Sequence, residues 1–265
     1  MPELSPLQQQ YLKKRRKERQ IVRTVRVLIF LLFLLLWEMA SGCGWIDSFI
    51  FSSPSRILKT FFQMCLSEHL MHHIFITLEE TLISFLLVVT VGTGIAILLW
   101  LFPKASQIAE PYFVVLNSLP KSALAPLLIV WLGATMRTII VAGISVAIFG
   151  SVINLYTGFQ DVDAEKLKLV TTLGGSRRHQ LFKIVLPASI PLILSVMKVN
   201  IGLCLVGVVI GEFIGAREGL GYLIIYGSQT FKLNWVILSI VILCIIAMML
   251  YAVLGLLEKR LINHP

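Results

Sequence analysis

Asp161–Pro187 reads DVDAEKLKLVTTLGGSRRHQLFKIVLP, a polar island between two long apolar segments. It is too charged to lie in hydrocarbon and too patterned for a slack loop. Asp161 and Asp163 stand where the positive end of a helix dipole favours anions. Leu167, Val170 and Leu173 recur every three residues and draw one apolar edge of a helix. Gly174-Gly175 stops that helix, because glycine adopts the left-handed conformation cheaply. Ser176 can cap a second helix. Leu181, Phe182, Ile184 and Val185 supply its apolar face, and Pro187 marks its end. The pattern is helix, glycine corner, helix, with Arg177 and Arg178 just past the corner. Pattern alone leaves two readings open: a hairpin lying on anionic lipid headgroups, or a docking element for a soluble partner.

The chain around the island is greasy. Of 265 residues, 57% are hydrophobic and 14% charged, well below the quarter or so typical of soluble domains; mean hydropathy is +0.87. Six apolar stretches approach the length needed to span a bilayer: 25–40, 77–102, 112–132, 138–158, 188–210 and 235–257. The expected fold is all-α and polytopic, with six transmembrane helices. Lys and Arg set the orientation. Most of them fall in the N-terminal segment, at Lys104, in the island and at Lys259 and Arg260, whereas the alternate connections hold Arg56, Lys59, Arg137, Arg217 and Lys232. Both termini and the island are therefore expected in the cytoplasm. The chain divides into a basic N-terminal segment (1–24), a transmembrane domain (25–260, with the loop at 161–187) and a short tail (261–265). Ala40-Ser41-Gly42-Cys43 loosely resembles a lipoprotein cleavage site, but Glu38, the long basic region and the later spans favour a retained first span.

The formal net charge of +9 sits at segment ends, as topology requires, and does not point to nucleic acid. FSSPSRILKTFFQM (51–64) starts with a Ser-Pro-Ser turn and reads as an interfacial helix. Residues 212–233, with Gly215, Gly219 and Gly221, read as a tight re-entrant turn or external loop. No phosphate-binding GxxxxGK[ST] run is present, nor an HExxH or GxSxG motif. The spacing of Cys43, Cys65, Cys204 and Cys244 suits small buried hydrophobes rather than a metal site or disulfides. His69, His72 and His73 read as a solvated interfacial patch. Glu38, Glu79, Glu80 and Glu212 are scattered and form no pair by spacing. Ionisable and amide groups within spans face a cavity or a partner. Asn117, Lys121, Asn154, Lys198, Asn200 and Glu212 are thus candidates for a translocation path. For Lys121, capping of carbonyls freed by Pro120 competes with attraction of an anionic substrate. Interhelical hydrogen bonds compete for Asn117, Asn154, Lys198 and Asn200.

The island resembles the cytoplasmic loop signature of ATP-binding-cassette (ABC) importer permeases, E-A-A-x3-G-x9-I-x-L-P. Gly174, Ile184, Leu186 and Pro187 fall at matching positions, while Lys168, Leu169 and Val170 replace the acidic-Ala-Ala part. NSLPKSALAPLLIVWLG (117–133), NLYTGFQDVD (154–163), GEFIGAREGLGYLI (211–224) and 51–57 resemble further segments of the nitrate/sulfonate/taurine branch, in the same order. The resemblance implies a type I importer permease with a cytoplasmic coupling helix, in the inner membrane of a bacterium. It would pair with a second permease copy, two cytoplasmic ATPases and an extracytoplasmic binding protein. It implies no cofactor in this chain, with ATP and Mg held by the ATPases. Lys168, Gly174, Gly175, Ser176, Arg177, Ile184, Leu186 and Pro187 would form the ATPase-coupling element. An ion-coupled secondary carrier or a non-transporting membrane scaffold are the competing classes. The solute, nitrate-, sulfonate- or taurine-like or a vitamin precursor, is not legible in the residues.

Overall fold

In the computed structural model, residues 6–67 and 69–262 are described. Among them every regular element is helical: α1 (Pro6–Gly42), α2 (Pro54–Ser67), α3 (Leu70–Leu101), α4 (Pro103–Ser118), α5 (Lys121–Leu132), α6 (Met136–Gln160), α7 (Ala164–Thr172), α8 (Arg177–Gln180), α9 (Leu186–Gly215), α10 (Leu220–Gln229) and α11 (Leu233–Ile262). Five helices are long and apolar enough to cross a membrane, or six if the bent pair α4–α5 counts as one span. The expected tail lies partly beyond the described residues, at 263–265, as do residues 1–5 of the N-terminal segment.

Two expectations are corrected. The third span is not a single helix: α4 and α5 meet at 95°. Pro120 has no N–H to donate, and its ring excludes the helical conformation from Leu119, which is extended at φ −63°, ψ 138°. The basic N-terminal arm and the first span share one unbroken helix, α1, as the arm's Lys, Arg and Gln residues favour. Pro187 does not end the second loop helix. Arg177–Gly215 runs on as one helical rod, with a π-helical turn at Leu181–Val185 just before the proline. That wider turn makes room where Pro187 lacks a donor and would otherwise clash with the preceding turn.

The centre of the bundle is α6 against α9, with α3 across them. Gly207 allows the close approach. A Cβ there would sit 2.8 Å from the Gly143 Cα and 2.9 Å from the Ala142 carbonyl. Small residues at such contacts let transmembrane backbones touch. Two apolar clusters mark the two ends of the bundle. At the end carrying the 161–187 loop, Ala96, Trp100, Leu155, Phe159, Leu181, Val185 and Val196 pack together. At the far end Ile57 and Met64 of α2 join Leu70, Leu205, Leu220 and Leu238. The expected interfacial helix is α2, with Leu58 and Phe62 exposed on its other face. Its first turn is held to α1 by Glu38, whose carboxylate accepts from the Ser55 N–H at 3.0 Å and hydroxyl at 2.7 Å. Cys204 is buried and Cys65 half-buried, but Cys43 and Cys244 are exposed on the isolated chain rather than buried as expected.

Candidate functional site

The island folds as its sequence suggests from Asp163 to Ser176, but Asp161 closes α6 as its C-cap instead of heading the island helix, because its N–H still bonds the Thr157 carbonyl. The Asp163 carboxylate accepts from the Glu165 N–H at 2.9 Å and caps α7. Gly174 takes φ +80°, and the Gly175 N–H closes onto the Val170 carbonyl at 2.8 Å. This is the six-residue ring of a Schellman motif, which needs a left-handed residue where Gly174 stands. Ser176 heads α8, its N–H donating to His179 Nδ1 at 3.2 Å. Gln180 ties the two arms together, donating to the Leu167 carbonyl at 2.9 Å and to Thr171 Oγ1 at 2.8 Å. The corner projects: nothing lies within 4 Å of where a Gly174 Cβ would be. Leu169 and Leu173 beside it are 60% and 78% exposed, which makes an apolar knob. Gly175 is hemmed in instead, since a Cβ there would meet Val170 Cγ1 at 2.5 Å.

The expected coupling residues therefore separate. Lys168, Gly174 and Ser176 are exposed around the corner, and Pro187 is exposed in the first turn of α9. Ile184 and Leu186 are half-buried, with Leu186 packed on the loop-end cluster. Arg177 is exposed as well, but its side chain reaches back to the end of α3. Its guanidinium donates to the Trp100 carbonyl at 2.8 Å and lies 5.0 Å from the centre of the Trp100 ring. Trp100 Nε1 donates in turn to the Phe159 carbonyl at 3.2 Å.

The six path candidates also divide. Lys198 pairs with Glu258 of α11 and lies over Tyr251. Asn200 is buried and donates to Ser151 Oγ at 2.8 Å, joining α9 to α6. Asn117, Lys121 and Asn154 remain on an accessible strip. Lys121 Nζ donates to the carbonyls of Leu116 and Asn117, one turn back across the α4–α5 bend, and sits 5.3 Å from the Phe149 ring. Asn117 Oδ1 lies against Gly150, and Asn154 follows one turn further along α6. Asn154 borders a groove of about 340 Å³ between α6 and α9, with Thr157, Asp161, Ser195 and Val199.

Glu212 forms something spacing did not reveal. It is 1% exposed, in the last turns of α9, and its Oε1 accepts from the Thr77 hydroxyl at 2.6 Å. Oε2 accepts from the Gly221 N–H at 2.5 Å. Thr77 Oγ1 also accepts the Leu220 N–H at 2.8 Å, and His73 Nδ1 the Gly219 N–H at 3.0 Å. The turn between α9 and α10 is thus latched onto α3. Glu80, equally buried, faces the Glu212 carboxyl, so two of the four carboxylates read as scattered are in fact paired by the fold. The histidines are not merely a solvated patch: His73 belongs to the latch and stacks on Tyr222, and His72 pairs with Glu218 at 3.3 Å. The expected re-entrant segment is this latched turn followed by α10.

The sequence profile of the family described as "Binding-protein-dependent transport system inner membrane component" matches residues 87–263. The "Putative aliphatic sulfonates transport permease protein SsuC" of Bacillus subtilis (strain 168) is 28% identical over 89% of this chain and 86% of that protein. A "Probable ABC transporter permease protein" of Haemophilus influenzae is 30% identical over 85% of this chain and 91% of that one. Among solved structures, an inward-facing form of the MetNI methionine ABC transporter has a similar fold. Its TM-score is 0.62 at 16% identity, over 75% of this chain and 96% of that one.

Proposed function

The chain belongs to the binding-protein-dependent transport system inner membrane component family, and from that membership we propose how its parts divide the work of transport. The protein is the transmembrane permease subunit of an ABC importer, works with ATPase and binding-protein partners, and is not itself an enzyme. In the proposed arrangement both termini and the 161–187 loop face the cytoplasm, as the distribution of Lys and Arg favours. The projecting Gly174 corner, flanked by exposed Leu169 and Leu173, enters a groove on the ATPase. That corner is the observation carrying the reading, because a hairpin lying on headgroups would have no need to hold a knob away from the bundle. Two copies of the chain enclose the path, and the strip of Asn117, Lys121 and Asn154 borders it. The solute is a small molecule of the sulfonate, taurine or vitamin-precursor kind, handed over by the binding protein. ATP and Mg bind to the ATPase subunits alone.

Uptake by cells expressing the full system, screened with radiolabelled taurine, an alkanesulfonate and nitrate, tests this assignment. Transport should stop when vanadate blocks ATP hydrolysis, even with a proton or sodium gradient maintained. Persistence under vanadate would indicate an ion-coupled carrier instead, and absence of any ATPase from the purified protein would indicate a scaffold.

Lys121 holds the bend in this arrangement. Pro120 and the break leave the Leu116 and Asn117 carbonyls without helix partners, and the ammonium supplies their donors. Lys121→Ala is expected to slow uptake of anionic and neutral probes by the same factor. A loss confined to anions would assign the lysine to substrate attraction.

A further inference from the structure

α3 is not joined to the loop by sequence, yet the loop is bolted to it. The last carbonyls of a helix lack intrahelical donors. At the C-terminus of α3, Arg177 supplies one to Trp100, placing a cation where the helix dipole favours it and against an aromatic face that attracts it. The Trp100 indole then supplies a donor to the Phe159 carbonyl at the end of α6. Loop, α3 and α6 meet at this one point, and the loop cannot turn without moving α3 or breaking these contacts. At its other end the same helix carries Thr77 and His73, which hold Glu212 and the α9–α10 turn, and Glu80, which faces Glu212. Thr77 and Trp100 are about 35 Å apart along a helix rising 1.5 Å per residue, and no proline interrupts α3.

We propose that Arg177 and Trp100 form a transmission joint, and that α3 is the rod carrying loop movement to the Glu212 latch. Arg177 is then a positioning residue facing the bundle rather than a contact of the ATPase. The inference rests on the reading that the loop docks the ATPase. It adds a third helix to the two that flank the loop, and an element with two arrangements whose equilibrium both ends bias is the physical warrant for coupling distant sites.

The test uses the whole complex, with ATPase and binding protein, in nanodiscs. The four native cysteines are changed to alanine and Ala216→Cys is introduced. Ala216 borders a groove of about 400 Å³ beside the latch, with Glu79, Glu80, Thr135 and Arg217. A membrane-impermeant maleimide reports its accessibility with and without ATP and vanadate. Trapping nucleotide should change the labelling rate about fivefold or more, the lower end of ordinary coupling between sites. Arg177→Met, which keeps the stem and removes charge and donors, should abolish that change while ATPase binding and nucleotide trapping persist. If Arg177→Met gives no folded protein, Trp100→Phe, which removes the indole N–H and leaves a smaller ring in the cluster, decides on the same readings. The proposal is overturned by a parental response in the variant, by loss of the ATPase from it, or by no response in the parent. Failure of the docking reading would look different: Gly174→Arg would retain the ATPase.

Discussion

Gly174→Arg is expected to strip the ATPase from the complex and end uptake while leaving membrane insertion intact. The geometry separates two effects. Any L-residue at φ +80° carries roughly 1–2 kcal/mol of backbone strain, and alanine carries that strain alone. Arginine adds bulk and charge in a place with no neighbour within 4 Å, so the fold has nothing to clash with and only a docked partner is displaced. Loss of ATPase binding should be about thirtyfold or more, the scale of an interface hot spot. Gly174→Ala should lose much less. The measurement is co-purification with a tagged ATPase beside uptake in the same cells. Equal losses for alanine and arginine would assign the effect to backbone strain, and normal uptake by the arginine variant would refute docking at this corner.

Glu212→Ala is expected to destabilise the bundle strongly. It removes the acceptor for both the Thr77 hydroxyl and the Gly221 N–H, in a site closed to water. Each buried donor left unsatisfied costs about 1–3 kcal/mol, so the change should cost roughly 2–6 kcal/mol. Gly219 and Gly221 pack directly against the glutamate, where a Cβ on Gly221 would lie 2.7 Å from its Oε2, so the change also leaves a void. Glu80→Gln should behave oppositely. Its amide would give the neighbouring Glu212 carboxyl a donor in place of a buried Oε2 that no donor reaches among the described residues. Thermal unfolding of the detergent-solubilised protein compares the two. A melting temperature for Glu212→Ala within a degree or so of the parent, or a collapse for Glu80→Gln, would show that the latch does not hold the turn.

Much of the fold was legible because bilayer crossing is a local property. A run of apolar residues spans wherever it folds, and Lys and Arg at its ends orient it. The helix–corner–helix was legible for the same reason: Asp163, Gly174 and Ser176 act on the backbone within a few residues of themselves. Proline marked both sites where regularity fails, yet with different outcomes. Pro120 breaks the third span, whereas Pro187 is absorbed by a π-helical turn, because Leu181 and Val185 are buried in the loop-end cluster and hold that rod together.

The amino-acid sequence alone determined an all-helical membrane protein with a patterned polar loop, since periodicity, capping and hydropathy need no knowledge of distant neighbours. Only the tertiary structure decided what the isolated polar residues do. Arg177, Glu212, Lys198 and Asn200 have no partner that their spacing in the chain reveals. The fold brings them to Trp100 and Thr77 of α3, Glu258 of α11 and Ser151 of α6. A buried polar group takes its role from the partner that satisfies it, and helix packing brings that partner from far along the chain.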